Sequence, residues 1–387
     1  MSVTAAAGFR AAGAAAGIKS EGRRDVALVV NDGPSAACAA VFTSNRCKAN
    51  PILWSQEAIR GGSISAIVLN SGGANCYTGS FGFQTTHQTA EAVAAKLGIG
   101  AGDVLVCSTG LIGVGDQSFR DGVLRGVELT ADSLADTTEA GEEASLAIMT
   151  TDSKPKRSVR DGDGYVVGAM AKGAGMLAPG LATMLVVITT DADLESAALD
   201  RALRAATRVT FDRVDSDGCM STNDQVTLMA SGASGVTPNE AAFTTVLTEV
   251  CADLARQLQQ DAEGASHDVT ITTIGAATEQ DALDASRAVA RSNLFKAAIF
   301  GNDPNWGRVL AAVGTTDAEF DPQALDVTIN GVMVCRAGTP HESAELVDLT
   351  PRDTNVVIDL HAGVSEATIL TNDLTHDYVH ENSAYSS

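Results

Sequence analysis

The sequence predicts an α/β layered protein, and three observations carry that expectation. Short β-branched runs alternate with segments whose apolar residues recur at helical spacing. The span Tyr165–Thr190 has Lys172 as its only charged residue and sets two apolar strand-like runs around a Gly- and Pro-rich turn. No internal repeat, low-complexity linker or membrane-length apolar run interrupts the 387 residues.

In chain order, Asp25–Asn31, Cys38–Thr43, Ile64–Ser71 and Asp103–Ser108 read as strands, bounded by Gly, Asn and Ser. Gln84–Leu97 and Ser133–Met149 read as helices. Leu199, Ala202, Leu203 and Ala206 keep a 3.6-residue period, as do Phe243, Val246, Leu247, Val250, Leu254 and Leu258. Strands follow at Asp268–Ile274, Leu325–Asn330, Asn355–Leu360 and Ala367–Leu370. The run Met184–Ile188 is apolar without alternation, which predicts a strand covered on both faces. Thr183 would then stand at the mouth of that strand, just after a Pro179-Gly180 turn.

Composition narrows the function classes. With 48 acidic against 26 basic residues the net charge is −22, a field that repels phosphate backbones and anionic lipid. Nucleic acid and membrane are therefore not expected partners. Cys38, Cys47, Cys76, Cys107, Cys219, Cys251 and Cys335 are scattered and odd in number, which speaks against a disulfide framework or structural zinc. The Ala/Gly-rich start is interrupted by Arg10 and lacks the basic and apolar regions of a signal peptide. A soluble, cytoplasmic protein is expected.

Thr183 draws attention for a chemical reason. A threonine hydroxyl is a poor nucleophile and needs an adjacent base. If the Ala182–Thr183 bond is cut, Thr183 gains a free α-amine with a reference pKa of about 7.7–8.0, able to take and return a proton near working pH. One residue then supplies nucleophile and base. The cut itself needs only attack of the Thr183 hydroxyl on the Ala182 carbonyl, then hydrolysis of the ester. Threonine's stiff χ1 holds the hydroxyl in place. On the local pattern alone, a plain turn entering a core strand explains the same residues.

The wider sequence alters that balance. The run from Lys172 to Leu185, KGAGMLAPGLATML, resembles the signature of ornithine acetyltransferases (glutamate N-acetyltransferases) of arginine biosynthesis. So do NSGGAN at 70–75, CSTGLIG at 107–113, IMTTD at 148–152, STND at 221–224, DAEG at 261–264, GNDPNWGRVLAAVG at 301–314 and ENSAYSS at 381–387, in the expected order. The resemblance implies a layered α-β-β-α sandwich of the DmpA/ornithine acetyltransferase type. It implies self-cleavage into an α chain of 1–182 and a β chain of 183–387, assembled as an α2β2 heterotetramer. It further implies ping-pong transfer of acetyl from N2-acetylornithine to glutamate through acetyl-Thr183. Whether acetyl-CoA is an alternative donor stays open, and no metal or tightly bound cofactor is expected.

Carried over by motif position, Thr109 and Gly110 form the oxyanion hole, consistent with a hydroxyl and an unhindered N–H at a strand end. Lys172, Glu263, Thr150, Asn382 and Ser387, with Thr183, match substrate-binding positions. A lone cation in an apolar stretch calls for an anion such as a substrate carboxylate, with a surface lysine on the turn as the second reading. Glu263 also reads as a solvated carboxylate at a helix end, and Thr151 competes with Thr150. From composition alone the C-terminal tail reads as disordered. Gly180-Leu181 and Ser266-His267 depart from the family's usual residues.

Other signals fail. Lys172-Gly-Ala-Gly lacks the phosphate-loop spacing, and Asp215-Ser-Asp217-Gly has Cys219 and Met220 where a calcium loop needs a ligand and a glycine. His376 and His380 read as a polar helix without a third metal ligand. Ser153–Lys156 fits S-x-x-K but reads as a loop. Two rival readings remain, an amidase or aminopeptidase in which water replaces the amino-acid acceptor, and a metabolite-binding protein with an uncut chain.

Overall fold

The structure is a computed structural model that describes residues 2–177 and 184–384, so Ala182, Thr183, the Pro179–Leu181 turn and Ser387 lie outside the described residues. The described chain forms two compact units, one of residues 2–174, 184–212 and 220–258, the other of 175–177, 213–219 and 259–384.

The first unit contains β1 (Phe9–Ala14), β2 (Val26–Asn31), β3 (Ala37–Phe42), α1 (Asn50–Ala58), β4 (Ala66–Ser71), α2 (Gly79–Leu97) and β5 (Val104–Thr109). It continues with α3 (Gln117–Asp132), α4 (Thr138–Ala147), β6 (Lys156–Asp161), β7 (Val166–Lys172), β8 (Leu185–Thr190), α5 (Ser196–Val209), β9 (Gln225–Ala230) and most of α6 (Glu240–Gln260). One sheet runs β1-β2-β4-β5, the other β3-β9-β8-β7-β6.

Period-two alternation makes this a layered α-β-β-α sandwich. Ala27 and Val29, Ile67 and Leu69, and Leu105 and Cys107 face a core shared with Cys38, Met170, Leu185, Val187 and Met229 of the second sheet. Val26, Leu28, Val68, Val104 and Val106 point the other way, onto Ala90, Val93 and Val127 of α2 and α3. On the outer face of the second sheet α5 lies against β3, and α6 is tied to β6 by Ser158 donating to Asp253 at 2.6 Å. Each such fully buried aliphatic side chain contributes about 1.5–3 kcal/mol of hydrophobic stabilisation. As the apolar run 184–188 predicts, every residue of β8 is buried.

The second unit carries β10 (Asp268–Ala276), α7 (Glu279–Ala290), α8 (Asn293–Phe300), α9 (Trp306–Val313), β11 (Asp326–Ile329), β12 (Val332–Arg336), β13 (Thr339–Pro340), β14 (Asp353–Asp359), β15 (Ser365–Asn372) and α10 (His376–Ala384). Its sheet runs β13-β12-β11-β14-β10-β15. Val269, Ile271, Val327, Val356, Ile358 and Ile369 meet Val289, Phe295 and Val309 of the helices in one core.

Several sequence expectations shift. The helix expected over Ser133–Met149 is shorter, α4 being capped by the Thr137 hydroxyl on Ala140 N–H. α3 was hidden by Gly122 and Gly126, poor helix formers. Gly126 serves close approach, since a Cβ there would stand 2.3 Å from Val26 Cγ2. Lys156 does not sit in a loop: it opens β6, fully buried. The tail forms α10 as far as Ala384 rather than a disordered end, and His376 and His380 lie on it. No disulfide joins the seven cysteines, and no helix among the described residues is long and apolar enough to cross a membrane.

Candidate active site

In the first unit five of the quoted motifs meet at one end of the sandwich. β4 and β5 are parallel and end level with one another, at Ser71 and Thr109. Beyond them the two glycine turns interlock. Gly110 has φ +129°, and a Cβ on it would stand 2.5 Å from Gly73 N and 2.8 Å from Gly72 C. Only glycine fits there, so its backbone N–H is unshielded by a side chain. Thr109 C=O accepts Gly73 N–H at 3.0 Å, and Ser108 donates to Asn70 at 2.6 Å.

The Ser221–Asp224 motif buttresses this loop. Asn223 Nδ2 donates to Ala74 C=O at 2.7 Å and to Ser108 C=O at 2.9 Å. Asp224 Oδ1 accepts the Met184 N–H at 3.0 Å. Burial raises the Asp224 carboxyl well above the usual aspartate range, against the opposing pull of that N–H and of the Lys172 charge.

Lys172 ends β7 and is buried, 1% exposed, which removes the reading of a surface lysine on the turn. Its Nζ donates to Thr109 Oγ1 at 3.3 Å. The cation and the oxyanion-hole candidate are therefore brought together. Asp152 organises the surroundings: Oδ1 receives Lys156 Nζ and Gly173 N–H, each at 2.7 Å, and Oδ2 receives Thr150 N–H at 2.9 Å. Burial alone would raise this carboxyl, but the charges of Lys172 and Lys156 and the Gly173 N–H outweigh it and hold it at about 2. Thr150 thus joins Lys172 and Thr109 through one carboxylate, while Thr151 is exposed. Lys19 belongs to the same corner, its Nζ donating to Met149 C=O at 2.9 Å.

In the second unit Glu263 follows α6, and Asn382 Nδ2 on α10 donates to Glu263 Oε2 at 3.0 Å. The approach is close enough that a Cβ on Gly264 would lie 2.2 Å from Tyr378 N. Met176 N–H donates to Asp217 at 2.8 Å, and a Cβ on Gly175 would lie 2.5 Å from Glu263 Oε2. Burial pushes Asp217 upward, and the Glu263 charge adds to it. A site with these two carboxylates suits an ammonium. The Ser266-His267 departure keeps the turn in place: both side chains bond Asp373, His267 through Nδ1 at 2.8 Å. Asp215 pairs with Arg291 at 2.7 Å instead of serving a calcium loop. Asn305 caps α9, giving the GNDPNWGR motif a role in helix initiation.

A family model matches residues 10–387, that of the ArgJ family. The chain belongs to the ArgJ family. The arginine biosynthesis bifunctional proteins ArgJ of Streptomyces coelicolor and Streptomyces avermitilis are each 62% identical over 387 residues, covering 100% of this chain and of the relative. Among solved structures, the ornithine acetyltransferase of Mycobacterium tuberculosis, in complex with ornithine, is 48% identical over 48% of this chain and 96% of that chain, with a TM-score of 0.43. As an ArgJ-family member the chain is an enzyme of arginine biosynthesis.

Within the ArgJ motifs, Asp152 and Asp224 were present in the quoted runs but received no role from the sequence. A carboxylate inside an otherwise apolar or hydroxyl-rich motif was the available signal. Lys19 lay outside every motif and only the fold brings it in.

Proposed function

We propose that the chain is a glutamate N-acetyltransferase that cuts itself between Ala182 and Thr183 and then carries acetyl on Thr183. The Thr183 hydroxyl attacks the Ala182 carbonyl, the C–N bond breaks, and water opens the resulting ester, leaving a free amine on Thr183. In the first half-reaction this amine accepts the hydroxyl proton as Oγ attacks the acetyl carbonyl of N2-acetylornithine. Thr109 and the Gly110 N–H stabilise the oxyanion, and ornithine leaves with the proton. Glutamate's α-amine then attacks the acetyl ester and restores the hydroxyl. The chemistry needs no cofactor.

One observation carries the reading. A single tetrapeptide, Ser221–Asp224, holds both the amide that follows position 183 and the loop that bears Thr109 and Gly110. Lys172 beside Thr109 supplies the cation for a substrate α-carboxylate. Glu263 and Asn382 supply polar contacts for the amino acid, joined in this proposal by Thr150 and Ser387. β7 and β8 pair antiparallel from Val167↔Thr190 to Lys172↔Leu185, so a cut at 182/183 leaves the α and β chains hydrogen-bonded together. The α2β2 assembly and a cytoplasmic location complete the proposal.

Denaturing mass spectrometry tests the first step: two chains are expected, the second starting at Thr183, and a single full-length species in active protein overturns it. Thr183→Ala should abolish both cutting and transfer, while Thr183→Ser retains some of each. Incubation with N-acetylornithine should release ornithine in proportion to added glutamate. Release indifferent to glutamate would identify a hydrolase instead.

A further inference from the structure

Lys19 sits in the loop between β1 and β2, with its backbone pinned. The Asp25 carboxylate accepts the N–H groups of Ala16, Ile18 and Lys19 at 2.7, 2.7 and 3.1 Å. Its side-chain stem runs along the glycine turn, where a Cβ on Gly72 would stand 3.4 Å from Lys19 Cγ. Gly72 is the residue that abuts Gly110. The ammonium bonds Met149 C=O, immediately before Thr150. From there Thr150 N–H, Asp152, Gly173 N–H and Lys172 form a continuous path to Thr109.

The charges facing Lys19 are Arg23, Asp25, Asp152 and Lys172. Asp25 is occupied by three backbone amides, and Asp152 is shared with Lys156. This corner therefore holds more cationic than anionic groups in a chain whose net charge is −22. Half-burial, reinforced by Arg23, pushes the Lys19 amine down to about 8. An ammonium has three donors, and Lys19 uses one on a described acceptor. An anionic ligand would complete it.

We propose that Lys19 is a specificity-determining residue, its ammonium taking the side-chain carboxylate of the acyl acceptor while Lys172 takes the α-carboxylate. The inference rests on the acetyltransferase reading above. Donor and acceptor share an α-carboxylate, and the second carboxylate belongs to the acceptor alone.

The test compares the processed wild-type enzyme with Lys19→Met and Lys19→Arg, using N-acetylornithine as donor and glutamate or glutamine as acceptor. Lys19→Met should raise KM for glutamate about tenfold to a hundredfold, the loss expected for one hydrogen bond to a charged group. The KM for N-acetylornithine and kcat should stay within about twofold. The preference for glutamate over glutamine should collapse, and Lys19→Arg should restore it. Equal changes in both KM values, an unchanged acceptor preference, or no rescue by arginine overturns the proposal. Wild-type enzyme that cuts itself and releases ornithine but never acetylates glutamate overturns the acceptor assignment, and this inference with it.

Discussion

Asp224 Oδ1 accepts the backbone N–H of Met184 at 3.0 Å, and the whole carboxyl group is buried. The neutral acid is the form that such burial favours. The bond reaches from one strand of the second sheet to the approach of its parallel neighbour, β9 to β8. It therefore governs where the chain stands immediately after position 183.

Asp224→Asn keeps an acceptor for Met184 and should fold and cut itself, with a modest loss of rate. Asp224→Ala leaves a buried N–H unmade and should cost about 1–3 kcal/mol in urea unfolding. Its self-cleavage, followed on denaturing gels, should slow more than that of the asparagine variant. Equal cleavage rates in the two variants would show that the anchor does not position residue 183.

Asp152 sets an acid limit on stability. Its folded-state pKa, about 2, lies below the ordinary aspartate value, so the unfolded chain binds its proton first as pH falls. The stabilisation is full above pH ~4 and is lost as pH falls from there through about 2, with a size on the order of 2 kcal/mol. Asp152→Asn removes the carboxylate that Lys156 Nζ bonds at 2.7 Å and should cost about 3–5 kcal/mol at pH 7, the range for breaking a buried ion pair. Denaturant midpoints measured across that pH range should show the asparagine variant flatter than wild type.

Gly110→Ala should lose transfer activity and stability together. The new Cβ meets backbone at 2.5 Å, and the backbone angle is one that alanine avoids. Gly113 is the control, also left-handed at φ +86° but with nothing within 4 Å of its Cβ. Gly113→Ala should cost only about 1 kcal/mol of backbone strain and keep most activity. A similar activity loss in both would mean that conformational strain, not crowding at Gly73, matters.

Asn382 orients Glu263 by a bond at the surface of α10. Asn382→Ala should therefore leave the melting temperature almost unchanged and act on substrate affinity. An increase of about two- to tenfold in KM for N-acetylornithine, with smaller change in kcat, is expected for a lost contact of about 0.5–1.5 kcal/mol. Glu263→Gln combined with Asn382→Ala should be less than additive, because both act on one contact.

The strands at 26–31, 66–71, 104–109 and 185–190 were legible because burial on one or both faces writes itself into the residue pattern. β1 and α3 were not. An alanine-rich strand and a helix containing two glycines carry weak local signals, and their residues make sense only against the neighbours they touch. In the same way the sequence left Lys172 between a carboxylate-binding cation and a turn lysine, and β7 and β5 placed it beside Thr109.

By itself, the sequence determined the α/β class, the buried character of the 184–188 strand and the ordered motifs that the ArgJ family shares. Those properties reside in periodicity and in short contiguous runs. Tertiary structure alone decided that Asp152 joins Thr150 to Gly173, that Asn223 and Asp224 bind two separate loops, and that Lys19 belongs to the same corner. A hydrogen bond's partner is chosen by the packing of distant segments, and no spacing along the chain encodes which segments those are.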